Sequence, residues 1–237
     1  MISTLLNLLH RYLLPNCCLI CNKSLQIEGY FCEKCWPTLG FIGNAICKVC
    51  CQEFAIDISD LQNICAKCIT NAPIYDESRA LMKFTPNSQK LIHQFKYYNS
   101  PWLAKVFAKL IIFRYASWIE NFDAIIAVPM HKVKRIWRGY NQAQILGQEL
   151  SHLSNKIILN DVLTKSRITK SQSSLTKKDR LKNLNDSFDI KNIDFIKEKN
   201  ILLVDDVITT GSTANLCASL LKKNGANKVA VITVANT

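Results

Sequence analysis

The stretch ILLVDDVITTGST, residues 201–213, runs from a short apolar segment through two acids into a threonine-rich turn. The helix-forming segment ANLCASLLKKNGA follows it, so the pattern predicts a β-strand, a loop and an α-helix in that order. Glycine is scarce, with 7 in 237 residues, and Gly211 lies in the tightest part of the turn. Its position indicates a backbone that needs positive φ or a close approach to a ligand.

The threonine-rich turn has the chemistry of a phosphate site. Hydroxyls and backbone N–H groups at a helix N-terminus favour an anion, because the helix dipole is positive there. Asp205 and Asp206 precede the turn at the end of the strand, where open α/β sheets place ligand-contacting groups. Carboxylates accept hydrogen bonds from sugar hydroxyls, so the combination predicts a site for ribose 5-phosphate. The predicted phosphate contacts are Thr209, Thr210, Gly211, Ser212 and Thr213.

A simpler alternative is an N-capped helix after a buried strand that carries an exposed acidic pair. The motifs G-x-x-x-x-G-K-[ST] and G-x-G-x-x-G are absent, which argues against the common nucleoside-triphosphatase and dinucleotide sites.

Apolar runs and amphipathic stretches alternate ahead of this unit. The strand-like runs are residues 75–84, 121–130 and 228–236. The helix-like stretches are residues 88–98 and 101–122, and a third runs through Leu150 after a basic loop at residues 131–144. This alternation predicts an α/β fold with a mostly parallel sheet.

Eight of the eleven cysteines form four Cys-x-x-Cys pairs, separated by 10, 11 and 14 residues. Two such turns supply the four tetrahedral sulfur ligands of a structural zinc site, with no open position for water. The sequence therefore predicts two structural Zn²⁺ sites, each formed by pairs that are neighbours in the chain. The predicted ligands are Cys18, Cys21, Cys32 and Cys35 for one ion, and Cys47, Cys50, Cys65 and Cys68 for the other.

Other uses of these cysteines are possible. The pairs could interleave between the two ions, and a disulfide framework would need an oxidising compartment and an export signal. A redox Cys-x-x-Cys normally occurs once beside a βαβ unit, so four copies favour metal. Cys17 and Cys51 are expected to be spectators, and Cys217 a buried helix residue.

The chain divides into an N-terminal helix with a double zinc ribbon at residues 1–72 and an α/β domain at residues 73–237. The first 15 residues are apolar but too short to span a bilayer, and their leucine spacing predicts an amphipathic helix. The protein is expected to be cytoplasmic. With 49% hydrophobic and 20% charged residues, the composition excludes a disordered chain.

Positive charge is concentrated near the predicted phosphate site. The chain has 30 Lys and Arg against 18 Asp and Glu, for a net charge of +12, and residues 131–182 hold 12 of the cations with only 3 acids. A solvated basic face is the ordinary explanation. A polyanionic partner is the alternative that the location favours, and Lys132, Arg138 and Arg167 are candidate contacts to substrate phosphates.

The segment VDDVITTGST resembles the phosphoribosyl pyrophosphate (PRPP) motif of type I phosphoribosyltransferases. The resemblance implies that Asp205 and Asp206 contact the ribose hydroxyls in the catalytic centre, that the turn holds the 5-phosphate, and that Mg²⁺ accompanies PRPP. The four Cys-x-x-Cys turns and three further segments extend the likeness over nearly the whole chain to the ComF (GntX-like) family, in which a zinc ribbon precedes a phosphoribosyltransferase-like domain. The three segments are Phe95-Lys96-Tyr97, VPMHKVKRIWRGYNQAQ and SRITKSQSSLTKKDRLKN.

The resemblance implies a role in natural competence, in which a PRPP pocket and a basic surface serve the uptake or processing of single-stranded DNA in the cytosol. DNA-processing proteins are the implied partners. The alternative is an active metabolic phosphoribosyltransferase that transfers ribose 5-phosphate from PRPP to a base or amine. The sequence does not identify that acceptor. A third reading makes the zinc ribbons a protein-docking module.

Overall fold

The computed structural model describes residues 17–55, 63–165 and 188–237. The helix predicted in the first 15 residues and the polar segment at residues 166–187, with Arg167, lie outside these ranges. Among the described helices, each falls short of the length and hydrophobicity needed to cross a bilayer.

The predicted parallel sheet is confirmed. Its five strands lie in the order β1-β7-β6-β2-β3, and all neighbouring pairs are parallel. A separate antiparallel pair, β4 and β5, lies beside it. The strands are β1 (Glu77–Lys83), β2 (Ala124–Ala127), β3 (Ile157–Ile158), β4 (Leu163–Lys165), β5 (Phe188–Ile190), β6 (Asn200–Ile208) and β7 (Lys228–Asn236).

Helices cover both faces of the sheet, as a mostly parallel sheet requires. Thr85 and Ser88 form a capping box at the start of α2, and the backbone of α3 departs from helical geometry at Tyr115. The described helices are α1 (Ala66–Thr70), α2 (Pro86–Tyr97), α3 (Leu103–Ile119), α4 (Lys132–Arg138), α5 (Gln142–Ser154) and α6 (Ser212–Lys223), with 3₁₀ turns at Pro37–Leu39 and Ile193–Phe195.

Strand β6 separates two apolar layers because successive side chains point to opposite faces. Leu202 and Val204 belong to the layer that contains Phe95 and Phe107 from α2 and α3. Leu203 belongs to the other layer, with Cys217 and Ala218 of α6. The buried helix position predicted for Cys217 is confirmed. Burial on both faces explains why β6 and β7 are nearly continuous apolar runs.

Two details differ from the sequence-based expectations. The segment at residues 131–144, predicted to be a loop, contains the short helix α4, which begins after a His131 cap whose Nδ1 accepts from the Val133 N–H at 3.2 Å. Strand β6 continues to Ile208, so Asp205 and Asp206 are its sixth and seventh residues of nine rather than its end. The extension forms because Asp205 and Val207 remain paired with Thr233 and Ala235 of β7.

The cysteine-rich segment attaches to the outer edge of β1. The Ile42 N–H donates to the Leu81 carbonyl at 3.2 Å, and the Lys83 N–H donates to the Gly40 carbonyl at 2.8 Å. Arg114 of α3 adds a hydrogen bond of 2.8 Å to the Gly43 carbonyl. This edge of the sheet is therefore covered rather than exposed. The domain boundary at residues 72 and 73 stays a prediction.

Candidate functional site

Two groups of four thiols converge as the sequence predicted, with neighbouring pairs together. Within each group all Sγ atoms lie within 4.8 Å of one another. The Cys21 and Cys32 sulfurs are 3.7 Å apart, and those of Cys50 and Cys65 are 3.6 Å apart. Tetrahedral zinc with Zn–S bonds of about 2.3 Å needs sulfurs about 3.8 Å apart. The donor sets fit Zn²⁺, and the interleaved pairing is wrong.

Backbone N–H groups support thiolates in both zinc sites. Burial works to raise the pKa of Cys18, but hydrogen bonds from the backbone of Cys21 and Cys32 outweigh it and lower that pKa to about 6. In the second site the Cys65 N–H donates to the Cys47 sulfur at 3.3 Å. Thiolates are the form that binds zinc, so these hydrogen bonds favour the metal-binding form of Cys18 and Cys47. Burial instead raises the pKa of Cys35 to about 12 and that of Cys50 to about 11, so zinc has to displace protons from those thiols. Cys17 and Cys51 lie outside both groups.

The threonine-rich turn and Asp205 line one small cavity of about 50 Å³, which brings together most of the predicted phosphate contacts. Gly211 has φ +73°, the left-handed conformation that its position in the sequence predicted. It is also the N-cap of α6 and offers no side-chain oxygen to the first turn. The helix N-terminus therefore leaves backbone N–H groups for an anion.

The two acids have different surroundings. One oxygen of Asp205 accepts from the Asp206 N–H at 2.8 Å, whereas Asp206 forms an ion pair of 3.1 Å with the Lys96 Nζ. Burial raises the pKa of Asp205 to about 8, and the negative charge of Asp206 is the second cause of this rise. Lys96 and Lys165 oppose that rise. Without a ligand, Asp205 therefore holds a proton near neutral pH.

Of the basic residues predicted to contact phosphates, Lys132 and Arg138 lie outside the wall of the small cavity. Arg138 donates to the Tyr97 hydroxyl at 3.0 Å, and its guanidinium lies 4.9 Å from the centre of that ring. Lys132 is exposed at the start of α4. Neither residue lines the small cavity. Arg167 lies outside the described residues, so its assignment, like the other site roles, stays a prediction.

Three residues of the site were missed by reasoning from the sequence. Lys96 pairs with Asp206, Lys165 lies close enough to influence Asp205, and the Tyr75 hydroxyl lies 3.6 Å from where a Cβ on Gly211 would be. Lys96 lies in the Phe95-Lys96-Tyr97 stretch, which could have indicated it. Tyr75 and Lys165 carry no local signal, because only tertiary packing brings them to the turn.

Comparison with known proteins agrees with this geometry. The family model described as "Phosphoribosyl transferase domain" matches residues 93–237, which include both acids and the turn. The chain belongs to the phosphoribosyl transferase domain family. The model described as "Double zinc ribbon domain" matches residues 9–69.

The relatives of this chain align with it over most of its length. Competence protein F of Haemophilus influenzae is 29% identical over 87% of this chain and 97% of that protein. DNA utilization protein YhgH of Salmonella typhimurium is 26% identical over 94% of this chain and 98% of that protein. Competence protein ComFC of Bacillus subtilis is 22% identical, with 88% and 89% covered. The resemblance to the ComF family is confirmed.

Zinc stoichiometry tests the two thiol groups. We expect two zinc ions per chain in the parent protein and one in Cys50→Ser, because loss of one sulfur opens the second site while the first is intact. Cys17→Ser is the matched control and should retain both ions. Elemental analysis of the purified proteins measures this. Fewer than two ions in the parent, or a loss in Cys17→Ser, would contradict the assignment.

The raised pKa of Asp205 predicts a pH-dependent stability. Because the folded protein holds a proton that the unfolded chain releases near its ordinary pKa of 3.8, stability should fall as the pH rises from there to about 8. Asp205→Asn should flatten that part of the curve, whereas Asp189→Asn, an exposed acid on β5, should not. Urea unfolding at a series of pH values measures both. Parallel curves for the parent and Asp205→Asn would refute the assignment.

Proposed function

We propose that the chain binds PRPP, or a related 5-phosphorylated ribose, at the end of β6. The observation that carries this is the single small cavity shared by Asp205 and residues 209–214 at the N-terminus of α6. A phosphate fits the N–H groups and hydroxyls of the turn. Ribose hydroxyls would donate to the carboxylates, taking the place of the proton that Asp205 holds near neutral pH.

Mg²⁺ fits the same end of the strand. Asp205 and Asp206 provide carboxylate oxygens, the ligand type that Mg²⁺ prefers, and Mg²⁺ commonly binds proteins through one or two carboxylates together with substrate phosphates. Bound there, the ion would neutralise charge on the pyrophosphate. The role of the chain is to hold the sugar, and Lys96 keeps the Asp206 side chain in place through the 3.1 Å ion pair.

We further propose that the protein acts in the cytosol in the uptake or processing of single-stranded DNA during natural transformation. The printed names of its relatives, which refer to competence and DNA utilization, support this. A surface next to the site supports it independently. Tyr98 is 67% exposed and Trp137 78% exposed, and the rings of Tyr97 and Trp137 lie 6.3 Å apart.

Exposed aromatic rings among cations are suited to single strands, because bases stack on the rings while phosphates contact the charges. Helix α4 supplies the charge beside Trp137, and none of its residues is acidic. We call this surface the aromatic–basic patch; it consists of Tyr97, Tyr98, Lys132, Lys134, Arg135 and Trp137.

An active phosphoribosyltransferase is the second candidate. In that reaction Asp205 and Asp206 would stabilise the positive charge that develops on the ribosyl ring as pyrophosphate leaves. Release of pyrophosphate from PRPP in the presence of a base would support turnover. Binding without release would favour a regulatory or binding role for the same pocket.

Titration calorimetry with PRPP and Mg²⁺ tests the pocket. We expect the double variant Asp205→Asn, Asp206→Asn to lose at least tenfold in affinity, because an amide is a weaker acceptor for sugar hydroxyls and cannot balance Lys96. The control is Asp194→Asn, an exposed acid in a 3₁₀ turn. Equal affinity in the parent and the double variant would show that the site is assigned wrongly.

The salt dependence of DNA binding tests the patch. Four to six phosphate contacts on a single strand predict a slope of log K against log salt of about −3 to −4. Tyr98→Ala with Trp137→Ala should weaken oligo-dT binding at least tenfold, since stacking contributes about 1–3 kcal/mol per base. Phe113→Ala is the control, a ring 92% exposed on α3. If the affinity for DNA does not change with salt concentration, the basic residues of the patch form an ordinary solvated surface.

A further inference from the structure

One buried residue lies between the phosphate turn and the second zinc site. Tyr75 is only 5% exposed, and its hydroxyl oxygen and Cε1 lie 3.6 and 3.9 Å from the position that a Cβ on Gly211 would take. The described wall of the phosphate cavity consists of residues 205 and 207–214. Tyr75 is not part of that wall, so its ring supports the turn from outside the cavity and leaves the cavity to a ligand.

The backbone next to Tyr75 is fixed to the same turn. The Ile74 N–H donates to the side-chain oxygen of Asn215 at 2.7 Å. The Asn215 N–H in turn donates to the Gly211 carbonyl at 2.8 Å, which closes the first turn of α6. Residues 74 and 75 therefore hold the start of α6 at two points, one through a hydrogen bond and one through the packing of a ring.

The other neighbour of Tyr75 is the second zinc site. Residues 69–73 are all that separate Ile74 from Cys68, which lies on α1. The charge of Cys50 is, after burial, the second cause that raises the pKa of Tyr75 to about 12, so this sulfur lies close to the phenol. The ligands of the second zinc site are Cys47, Cys50, Cys65 and Cys68.

Residues 48–50 of the second zinc site present three consecutive backbone carbonyls to the sheet. The side chains of Arg79, Ser78 and Asn236 donate to these carbonyls in chain order, at 3.1, 3.0 and 3.1 Å. The bonds depend on the shape of the Cys-x-x-Cys turn, which two sulfurs adopt when they bind one ion. Zinc binding there therefore fixes the position of the start of β1, and with it the position of Tyr75.

The first zinc site, at residues 18–35, has no such connection among the described residues. Leu19 and Phe31 of its ribbon pack against the apolar layer of α2 and α3, whereas Tyr75 belongs to the layer of α6 on the other face of the sheet. Only one of two chemically alike sites thus adjoins the phosphate turn. The first site therefore provides a matched comparison within the same chain.

We infer that Tyr75 is a positioning residue for the phosphate turn, through which zinc in the second site sets the affinity of the turn for a phosphorylated ribose. The ligand part of this inference rests on the proposed function of the phosphate cavity. When the second zinc site is formed, residues 74 and 75 hold Gly211 in its binding arrangement before a ligand arrives. When it is open, ordering the turn costs part of the binding free energy, so the affinity falls. Because linkage is reciprocal, a ligand in the turn strengthens zinc binding at the second site by the same factor.

Calorimetric titration of PRPP with Mg²⁺ into variants of the full chain tests the dependence on the second site. We expect Cys50→Ser, which opens the second site, to bind PRPP at least tenfold more weakly than the parent, within the range typical of coupled sites. Cys21→Ser, which opens the first site instead, should bind PRPP as the parent does. Tyr75→Ala should lose affinity while it retains both zinc ions. Tyr75→Phe, which keeps the ring edge beside Gly211, should restore most of the affinity.

Zinc affinity in the parent chain gives a readout that needs no substitution. In equilibrium competition with a zinc chelator, saturating PRPP with Mg²⁺ should strengthen the binding of one of the two zinc ions at least tenfold relative to Mg²⁺ alone. The other ion should be unaffected, and Tyr75→Ala should abolish the difference. A ligand that only stabilises the fold as a whole would strengthen both ions alike, which would contradict the inference.

Hydrogen exchange of residues 205–216 separates this inference from the proposed function, because it needs no ligand. The amides of this segment should exchange faster in Cys50→Ser than in Cys21→Ser. If PRPP fails to bind the parent while this difference is present, the proposed function fails and the positioning role of Tyr75 stands. If PRPP binds the parent but its affinity falls equally in Cys50→Ser and Cys21→Ser, or is unchanged in Tyr75→Ala, the inference is overturned and the phosphate site stands.

Discussion

Two adjacent carboxylates on a strand that is buried on both faces are the constraint on which this site depends. Burial, followed by the charge of Asp206, raises the pKa of Asp205, and the ion pair between Asp206 and Lys96 is the local compensation. Such a pair is costly in a merely structural strand. The cost of the pair is offset when a ligand supplies hydrogen-bond donors or cationic charge at that point, as the proposed ribose with a metal-bound pyrophosphate would.

The parallel order of the strands brings the two acids and the start of α6 to the same edge of the sheet. Because all five strands run the same way, the ends of β1, β7 and β6 lie side by side at one edge, where Gly211 starts α6 with its left-handed backbone. The zinc ribbon attaches to β1 and extends over this edge. Metal binding thus takes the place of a hydrophobic core in a segment too small to form one.

Reasoning from the sequence predicted what local patterns determine. The Cys-x-x-Cys spacing gave both ligand groups, and the apolar run at residues 228–236 gave β7 with its observed limits. The helix at residues 132–138 was missed because its charges and the flanking glycine are typical of a loop. Lys165 and Tyr75 could not be found, since their nearness to Asp205 and Gly211 arises only when β4 and the segment before β1 pack in three dimensions.

Helix α2 links the two proposed ligands of the protein. Successive helical residues point about 100° apart, and here Lys96 turns inward to Asp206 while Tyr97 turns outward to Arg138 and Trp137. The last turn of α2 is fixed independently of that ion pair, because the Phe95 carbonyl accepts from the Tyr140 hydroxyl at 2.6 Å and from the Gln142 amide at 3.3 Å. The proposed sugar site and the aromatic–basic patch therefore adjoin at one pair of neighbouring residues on a firmly held helix end, so both surfaces are positioned by the same packing of α2.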